Sequence, residues 1–479
     1  MALLNADLTD RTLFTIGASR QDNDNHISWG TLPPAPDGSS LGLRRSTYLG
    51  NDWDYWNKRN TSYFASLEHH FDNGWILKLA AANTKAELDI LGTQARYNSS
   101  TTQYYQTGGE YHYTDKQNSY EVNVNGPFKL LGRTHELVVG ASQRNGDFDG
   151  YGGGTTLFTN MDIYNWNHSV VPRPNFNLSS WFQRTEDRQS SAFSTIRLNL
   201  TKPLKLIIGA RLDWYKFQGE TVWGNDNYKI NHNLTKYAGL IYDFDNWHSV
   251  YISYTDIFKP QNNYDTNAKL LDPIEGKNYE VGLKGEYFEG ALNTNIAVFQ
   301  TDQENIAILV PDQSLCPGNM GCYQAAGLVR NRGIDLEMQG AITPNWQLSA
   351  GYTYVDSEIK KDSDPSRVGT RPEPFLPQHQ ITLSTLYHIS DKWRAGANLR
   401  WQSKIYQESG SSFRSEQAAY VVAGIMAGFR VNQNFDLQLN LDNIFDKTYY
   451  QSISSSSRTP SHVYAPPRNF MITARYSFK

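Results

Sequence analysis

The sequence predicts an all-β protein, a transmembrane antiparallel up-and-down β-barrel, and three observations carry that expectation. The carboxy-terminal stretch alternates strictly, with Phe470, Ile472, Ala474, Tyr476 and Phe478 on one face and Asn469, Met471, Thr473, Arg475 and Ser477 on the other. A period of two gives each set its own side of a β-strand, one suited to lipid and one to water. No run of about 18 apolar residues exists, which excludes a transmembrane helix but not a barrel, where only every second residue meets lipid. Short turns and long connections alternate along the chain, as they do at the two rims of a membrane barrel.

The alternation recurs in strand after strand. Val421, Ala423, Ile425, Ala427, Phe429 and Val431 form one apolar row, and after Asn432–Asn434 the row Phe435, Leu437, Leu439, Leu441 alternates with Asp436, Gln438, Asn440, Asp442. Trp393, Ala395, Ala397, Leu399 and Trp401 alternate with Arg394, Gly396, Asn398 and Arg400, and Trp346 to Tyr354 repeats the pattern. A sandwich core has no use for such polar rows, whereas a large barrel with a watery interior does. Trp393 and Trp401 stand eight residues apart, as do Trp346 and Tyr354. That is about 26 Å along a strand, or about 20 Å along the membrane normal after a tilt of ~40°, near the ~25 Å band between two aromatic girdles.

Short turns are expected at 9–11, 72–74, 126–132, 201–203, 245–246, 288–290, 343–345, 390–392 and 432–434, most of them built on Gly, Pro, Asn or Asp. Long segments are expected at 22–57, 91–104, 149–187, 219–233, 259–275, 310–327, 358–378, 403–418 and 447–467. The count is about 18 strands plus a stub at Ala2–Leu8. Because the first connection is a short turn, the chain begins in mid-hairpin, and Met1–Leu8 lacks the basic and apolar regions of a signal peptide. The expectation is a single β-barrel domain over residues 1–479, truncated at its amino terminus.

Composition narrows the function. The net charge of −4 and the absence of a long basic run argue against nucleic acid as a partner. Aromatic residues make up 13% of the chain, including 30 Tyr and 12 Trp, an excess that fits membrane interfaces and binding surfaces. Cys316 and Cys322 lie close together in a Pro/Gly/Asn-rich stretch, where an oxidising compartment would favour a small surface disulfide over two free thiols. No further Cys pair or suitably spaced His makes them a metal site. His69 and His70 point to opposite faces of a strand and cannot chelate one ion together. Nucleophile elbow, HExxH and phosphate-loop patterns are missing, so no catalytic residues are expected.

Four stretches resemble one family, the TonB-dependent outer-membrane receptors for ferric siderophores. They are Asp272–Gly285, Val329–Glu337 with Trp346–Asp356, Asn440–Tyr450, and Pro467–Phe470 opening the last strand. Tyr254–Tyr264, with Lys259-Pro260-Gln261, further resembles the subgroup of ferric coprogen, rhodotorulate and ferripyoverdine receptors. The resemblance implies a 22-stranded bacterial outer-membrane barrel, occluded by a plug and driven by the TonB complex. It makes Thr12–Gln21 the fifth strand and places the plug, the TonB-binding box and about four strands outside this chain. Lys479 after Phe478 departs from the family's usual aromatic end.

The expected function is therefore binding and TonB-driven uptake of a ferric siderophore of hydroxamate or pyoverdine type, with iron carried as ligand and no resident cofactor. A monomer is expected, in contact with outer-membrane lipid and lipopolysaccharide. Capture of a bulky chelate needs rigid apolar surfaces with a few polar groups. The candidates are Trp53, Tyr55, Trp56, Tyr104, Tyr105, Tyr151, Trp166, Trp181, Trp223, Tyr264, Tyr323 and Tyr406, with Tyr164 and Phe182 beside them, all expected in loops. Arg330 and Arg332 are expected to face the interior and meet an anionic chelate. Each aromatic has an alternative role as loop core or interface girdle. A passive porin is the alternative function, an outer-membrane enzyme a third, and within the receptors haem and cobalamin remain competing ligands.

Overall fold

A computed structural model describes residues 1–27, 29, 32–222, 224–261, 263–310, 313–316, 321–409, 412–453 and 461–478. Two compact units emerge. The first comprises Met1–Leu32, Tyr48–Gly239 and Pro260–Asn262, the second Pro33–Thr47, Leu240–Lys259 and Asn263–Lys479.

The first unit carries β1 (Ala2–Thr9), β2 (Thr12–Asn23), β3 (Tyr55–His70), β4 (Ile76–Asn98), β5 (Gln103–Leu130), β6 (Arg133–Phe158), β7 (Trp181–Asn199), β8 (Leu204–Thr221) and most of β9 (Gly224–Asp243). The second carries β10 (His248–Lys259), β11 (Ile274–Tyr287), β12 (Leu292–Leu309), β13 (Tyr323–Thr343), β14 (Trp346–Lys361), β15 (His379–His388) and β16 (Trp393–Gln402). A small hairpin, β17 (Ile405–Ser409) with β18 (Phe413–Gln417), precedes β19 (Tyr420–Arg430) and β20 (Phe435–Asp442). A second one, β21 (Tyr450–Ile453) with β22 (His462–Tyr464), precedes β23 (Asn469–Tyr476).

β1 to β8 pair antiparallel in chain order, and so do β10 to β16, β19, β20 and β23, with β9 in the same sheet and the two small hairpins standing outside the ladder. Among the described residues eighteen long strands follow the stub β1, the number the alternation implied. The nine short connections join consecutive strands, but the turn expected at 126–132 is corrected to Leu131–Gly132, since residues 126–130 continue β5 in register with β6.

Register preserves the two faces. Leu437, Leu439 and Leu441 of β20 stand opposite Ala474, Ile472 and Phe470 of β23, while Asp436 faces Arg475 and Gln438 faces Thr473. Ile425, Ala427 and Phe429 of β19 continue the row beside β20, and Leu399, Ala397 and Ala395 of β16 continue it on the other side. The apolar row is exposed: Ile472 is 67% and Ile425 48% accessible. Aromatics close both ends of it. Trp346 pairs with Tyr387, Trp393 with Phe429 and Phe435 with Tyr476 near the short turns, and Tyr354 stacks on His379 toward the long connections.

The opposite face is held by polar bonds. Arg394 on β16 reaches past β19 to donate to both carboxylate oxygens of Asp436 on β20, at 2.7 and 2.6 Å, and to Gln438 at 3.2 Å. Gly428 lies beneath this bridge, and a Cβ there would stand 2.5 Å from the guanidinium. Only glycine leaves the strand thin enough for the side chain to cross.

Two long segments are corrected. Among the described residues, 91–104 and 219–233 are almost wholly strand, leaving turns only at 99–102 and at Val222. β5 runs for 28 residues, about 90 Å, far beyond the ~9–11 residues that a membrane requires. Continued ladder pairing satisfies backbone groups that an open loop would leave to water. Leu439→Arg, in the middle of the exposed apolar row, should cost about 2–4 kcal/mol in a lipid bilayer, whereas Gln438→Arg should cost under about 1 kcal/mol. Equilibrium guanidinium unfolding in reconstituted bilayers distinguishes the two.

Candidate functional site

In the first unit, aromatic side chains gather on the face opposite Tyr120 and Val122. Tyr111 and Tyr113 of β5 stack 6.2 Å apart, and Trp181 of β7 meets them edge-on at 5.7 and 5.8 Å. Trp29 lies 5.8 Å from Tyr111, and Phe148 of β6 lies 5.9 Å from Tyr113. Trp56 occupies the same face, since it pairs with Ile90, which pairs with Tyr111. Its indole nitrogen is buried without a hydrogen-bond partner among the described residues. Gly152 opposes both Tyr111 and Trp181, and a Cβ on it would sit 2.5 Å from the Tyr111 ring. The glycine-rich segment of β6 therefore gives the rings their seat.

Of the expected contacts, Trp56 and Trp181 belong to this cluster. Tyr111, Tyr113 and Phe148 escaped the sequence analysis because they sit inside regular strand pattern, and Trp29, in the long segment 22–57, carried no motif that marked it. The signal that marks them is the run Gly150-Tyr-Gly-Gly-Gly154 opposite the β5 tyrosines. Tyr151 turns away, stacking on His112 at 5.1 Å on the other face, and Tyr55 shares that other face with Tyr63. The loop assignment of Tyr55, Trp56, Tyr104, Tyr105, Tyr151, Trp181, Phe182 and Tyr323 is corrected: all eight lie on long strands.

Trp53 and Trp166 hold loops together. Trp53 Nε1 donates to the Val171 carbonyl at 2.9 Å, and Trp166 Nε1 to the Gly50 carbonyl at 2.8 Å. Tyr164 is exposed on the same connection, 159–180. Tyr104 lies 5.2 Å from Tyr97, and its carbonyl accepts from the Met161 amide at 2.7 Å. Tyr105 pairs with Arg96 in the same hairpin. Beneath them lies a polar knot, with Asn51, Asp54, Thr93 and Gln106 each at most 1% exposed. Asn51 donates to Gln106 at 2.9 Å, Gln106 to the Leu49 carbonyl at 2.9 Å, and Thr93 to Asp54 at 2.6 Å. Burial pushes the Asp54 carboxyl up to about 6, against the bonds it accepts from Thr93, Asn51 and Tyr48.

In the second unit, the Tyr323 amide donates to the Tyr264 carbonyl at 2.8 Å, beside the disulfide that joins Cys316 to Cys322 across Cα atoms 5.4 Å apart. Arg414 stacks over the Tyr406 ring at 4.1 Å on the β17–β18 hairpin. Ser415 and His462 are bonded and buried between the two small hairpins, and burial holds the His462 imidazole down at about 4, hence neutral. Arg330 and Arg332 are corrected. They share a face with the exposed Ile334 and Leu336, and Arg330 is committed to Asp302 by two bonds of 2.7 Å. Two-residue periodicity carried upward from Ile334 fixes that side. Trp223 lies outside the described residues.

Residues 2–444 match the family model described as TonB dependent receptor-like, beta-barrel. The chain belongs to this family of TonB-dependent receptor β-barrels, which are bacterial outer-membrane proteins. It is 34% identical to the ferripyoverdine receptor of Pseudomonas aeruginosa over 99% of its own length and 59% of that receptor's, and 34% identical to the ferric-pyoverdine 358 receptor of Pseudomonas putida over the same shares. The crystal structure of the P. aeruginosa ferripyoverdine receptor bound to ferripyoverdine superposes with a TM-score of 0.89 at 32% identity, covering 99% of this chain and 64% of that one. The chain thus spans about three fifths of the length of the curated relatives it matches.

The Asp54 knot makes loop docking depend on pH. Because the folded carboxyl titrates near 6 and an unfolded one near its ordinary ~3.9, the fold binds the extra proton between those values. The stabilisation is complete below about pH 4 and is lost as pH rises through about 6, at a cost of roughly 2–3 kcal/mol. Amide protection factors at Asp52 and Asp54 should fall between pH 5 and pH 7, and Asp54→Asn should remove that dependence.

Proposed function

We propose that this chain is the ligand-binding wall of an outer-membrane receptor that takes up a ferric siderophore of hydroxamate or pyoverdine type in a TonB-driven cycle. The single observation carrying the reading is the polar-face cluster of Trp56, Tyr111, Tyr113, Phe148 and Trp181, seated on the β6 glycines. Such rings present broad, rigid faces with few torsions to lose, together with phenol and indole donors for a chelate's amide and hydroxamate oxygens. The similar Pseudomonas proteins are receptors for ferripyoverdine, which supports the same ligand class. Iron arrives and leaves as cargo within its chelate, with no resident cofactor.

In this reading the strands form part of a closed 22-stranded wall with the polar face inward. A plug, a TonB-binding box and about four further strands come from the rest of the protein, and residues 1–479 constitute one barrel domain. The outward row contacts lipid and lipopolysaccharide, the receptor works as a monomer, and it performs no catalysis. A passive channel needs no chelate-shaped aromatic seat, which disfavours the porin alternative.

The test is uptake of radioiron-labelled ferripyoverdine by an iron-starved strain lacking other pyoverdine receptors and expressing the complete gene. Uptake should require TonB, and Tyr111→Ala with Trp181→Ala should weaken it at least about tenfold, as loss of a hot spot does. Tyr151→Ala, on the opposite face, should stay within about twofold. TonB-independent uptake, or a double variant indistinguishable from the parent, would overturn the reading.

A further inference from the structure

The second unit holds a cavity of about 570 Å3 that the reading above does not use. It lies on the polar face where β10 to β14 end. Ile257 and Lys259 alternate away from the exposed Val250 and Ile252, and Val329 and Asn331 alternate away from Ile334 and Leu336. The connection 362–378 covers it and is fixed to β14, where the Ile359 amide donates to the Thr370 carbonyl and the Gly369 amide to the Ile359 carbonyl, both at 2.9 Å.

The lining is amphipathic. Ile308 and Ile359, 7% and 4% exposed, form the best-buried part of an apolar floor. Thr301, Gln303, Asn331 and Ser357 supply neutral hydrogen-bonding groups. Asp362 is spent on Arg367 at 2.9 Å, which cancels both charges. That leaves Lys259, Lys361 and Glu373 among the charged groups of the lining, and neither lysine has an ion-pair partner among the described residues. The two lysines stand on β10 and β14, four strand spacings apart, about 19 Å along the sheet. One compact anion cannot engage both, whereas an extended one lying across the apolar floor can.

We propose that this cavity binds a ligand group with an aliphatic stem and a carboxylate at each end, the stem against Ile308 and Ile359 and the carboxylates on Lys259 and Lys361. Burying the stem contributes about 0.8 kcal/mol per methylene, and the lysines supply charge-assisted bonds at the rim. The proposal rests on the receptor reading only in taking the polar face as the one that meets ligands.

Calorimetric titration of the purified, detergent-solubilised full receptor with suberate tests it, with octanoate and 1,8-octanediol as one-ended and neutral comparisons. Suberate should bind saturably, octanoate at least fivefold more weakly, and the diol not measurably. Lys259→Gln with Lys361→Gln should abolish suberate binding, and Lys259→Arg with Lys361→Arg should retain it, in variants whose heat-modifiability matches the parent. Equal affinity for suberate and the diol, absence of saturable suberate binding, or full affinity in the double Gln variant would overturn the proposal. Trp181→Ala should leave suberate affinity unchanged while weakening ferripyoverdine uptake, so the two readings fail separately.

Discussion

The strict division of each strand into two faces is the constraint on which everything else depends. A membrane-spanning strand must give every backbone amide and carbonyl to a neighbouring strand, because hydrocarbon offers neither donor nor acceptor. Pairing alone fixes only distance; the side chains fix register, since a slip of one residue would exchange the rows. From β14 to β23 the ladder places Ile, Leu, Ala and aromatic residues opposite one another on one side and Asp, Gln, Asn and Arg on the other. The Arg394–Asp436 bridge over Gly428 adds a second lock, spanning three strands, that a shifted register would break.

The same ladder explains why the site stands on strands. β4, β5 and β6 continue well past any apolar band, so Tyr111, Tyr113, Phe148 and Trp181 project from paired backbone. Their positions are fixed by cross-strand neighbours, so little conformational entropy remains to be lost at these side chains. The loops above are held in another way, by indole-to-carbonyl bonds and the buried Asn51–Asp54–Thr93–Gln106 knot. A buried, partly satisfied carboxylate is costly, and that cost falls on the loop docking.

Where one face is lipid and the other water, composition betrays the alternation, and the apolar rows of β14 to β23 and the place of each short turn were legible in the sequence, although Gly126 and Pro127 disguised the end of β5 as turn. Above the band both faces are polar, and the pattern no longer tells them apart. Arg330 looked like an interior cation for that reason, although counting down two residues at a time to Ile334 would have placed it on the outer side. Tyr111 and Tyr113 were hidden by the opposite effect: in a tyrosine-rich chain, aromatics within a regular strand look like wall. Their distinguishing feature, a glycine run on the next strand, becomes visible only once the pairing of β5 with β6 is known.

The connection between β2 and β3 adds a consequence for assembly. Its segment Pro33–Thr47 belongs to the second unit, where Arg45 donates to both carboxylate oxygens of Asp446 at 2.9 and 3.0 Å. Ser40 and Tyr450 share a hydrogen bond of 2.7 Å, and the Tyr464 hydroxyl donates to the Leu43 carbonyl at 2.9 Å. These partners are separated by 401 to 421 residues. Loop-closure entropy grows only logarithmically with such a span, so the contacts are affordable once formed. β21 is in turn tied to β18, since Gln417 accepts from the Tyr450 amide at 2.7 Å. A stretch encoded near the start of the chain is thus held by the hairpins encoded near its end.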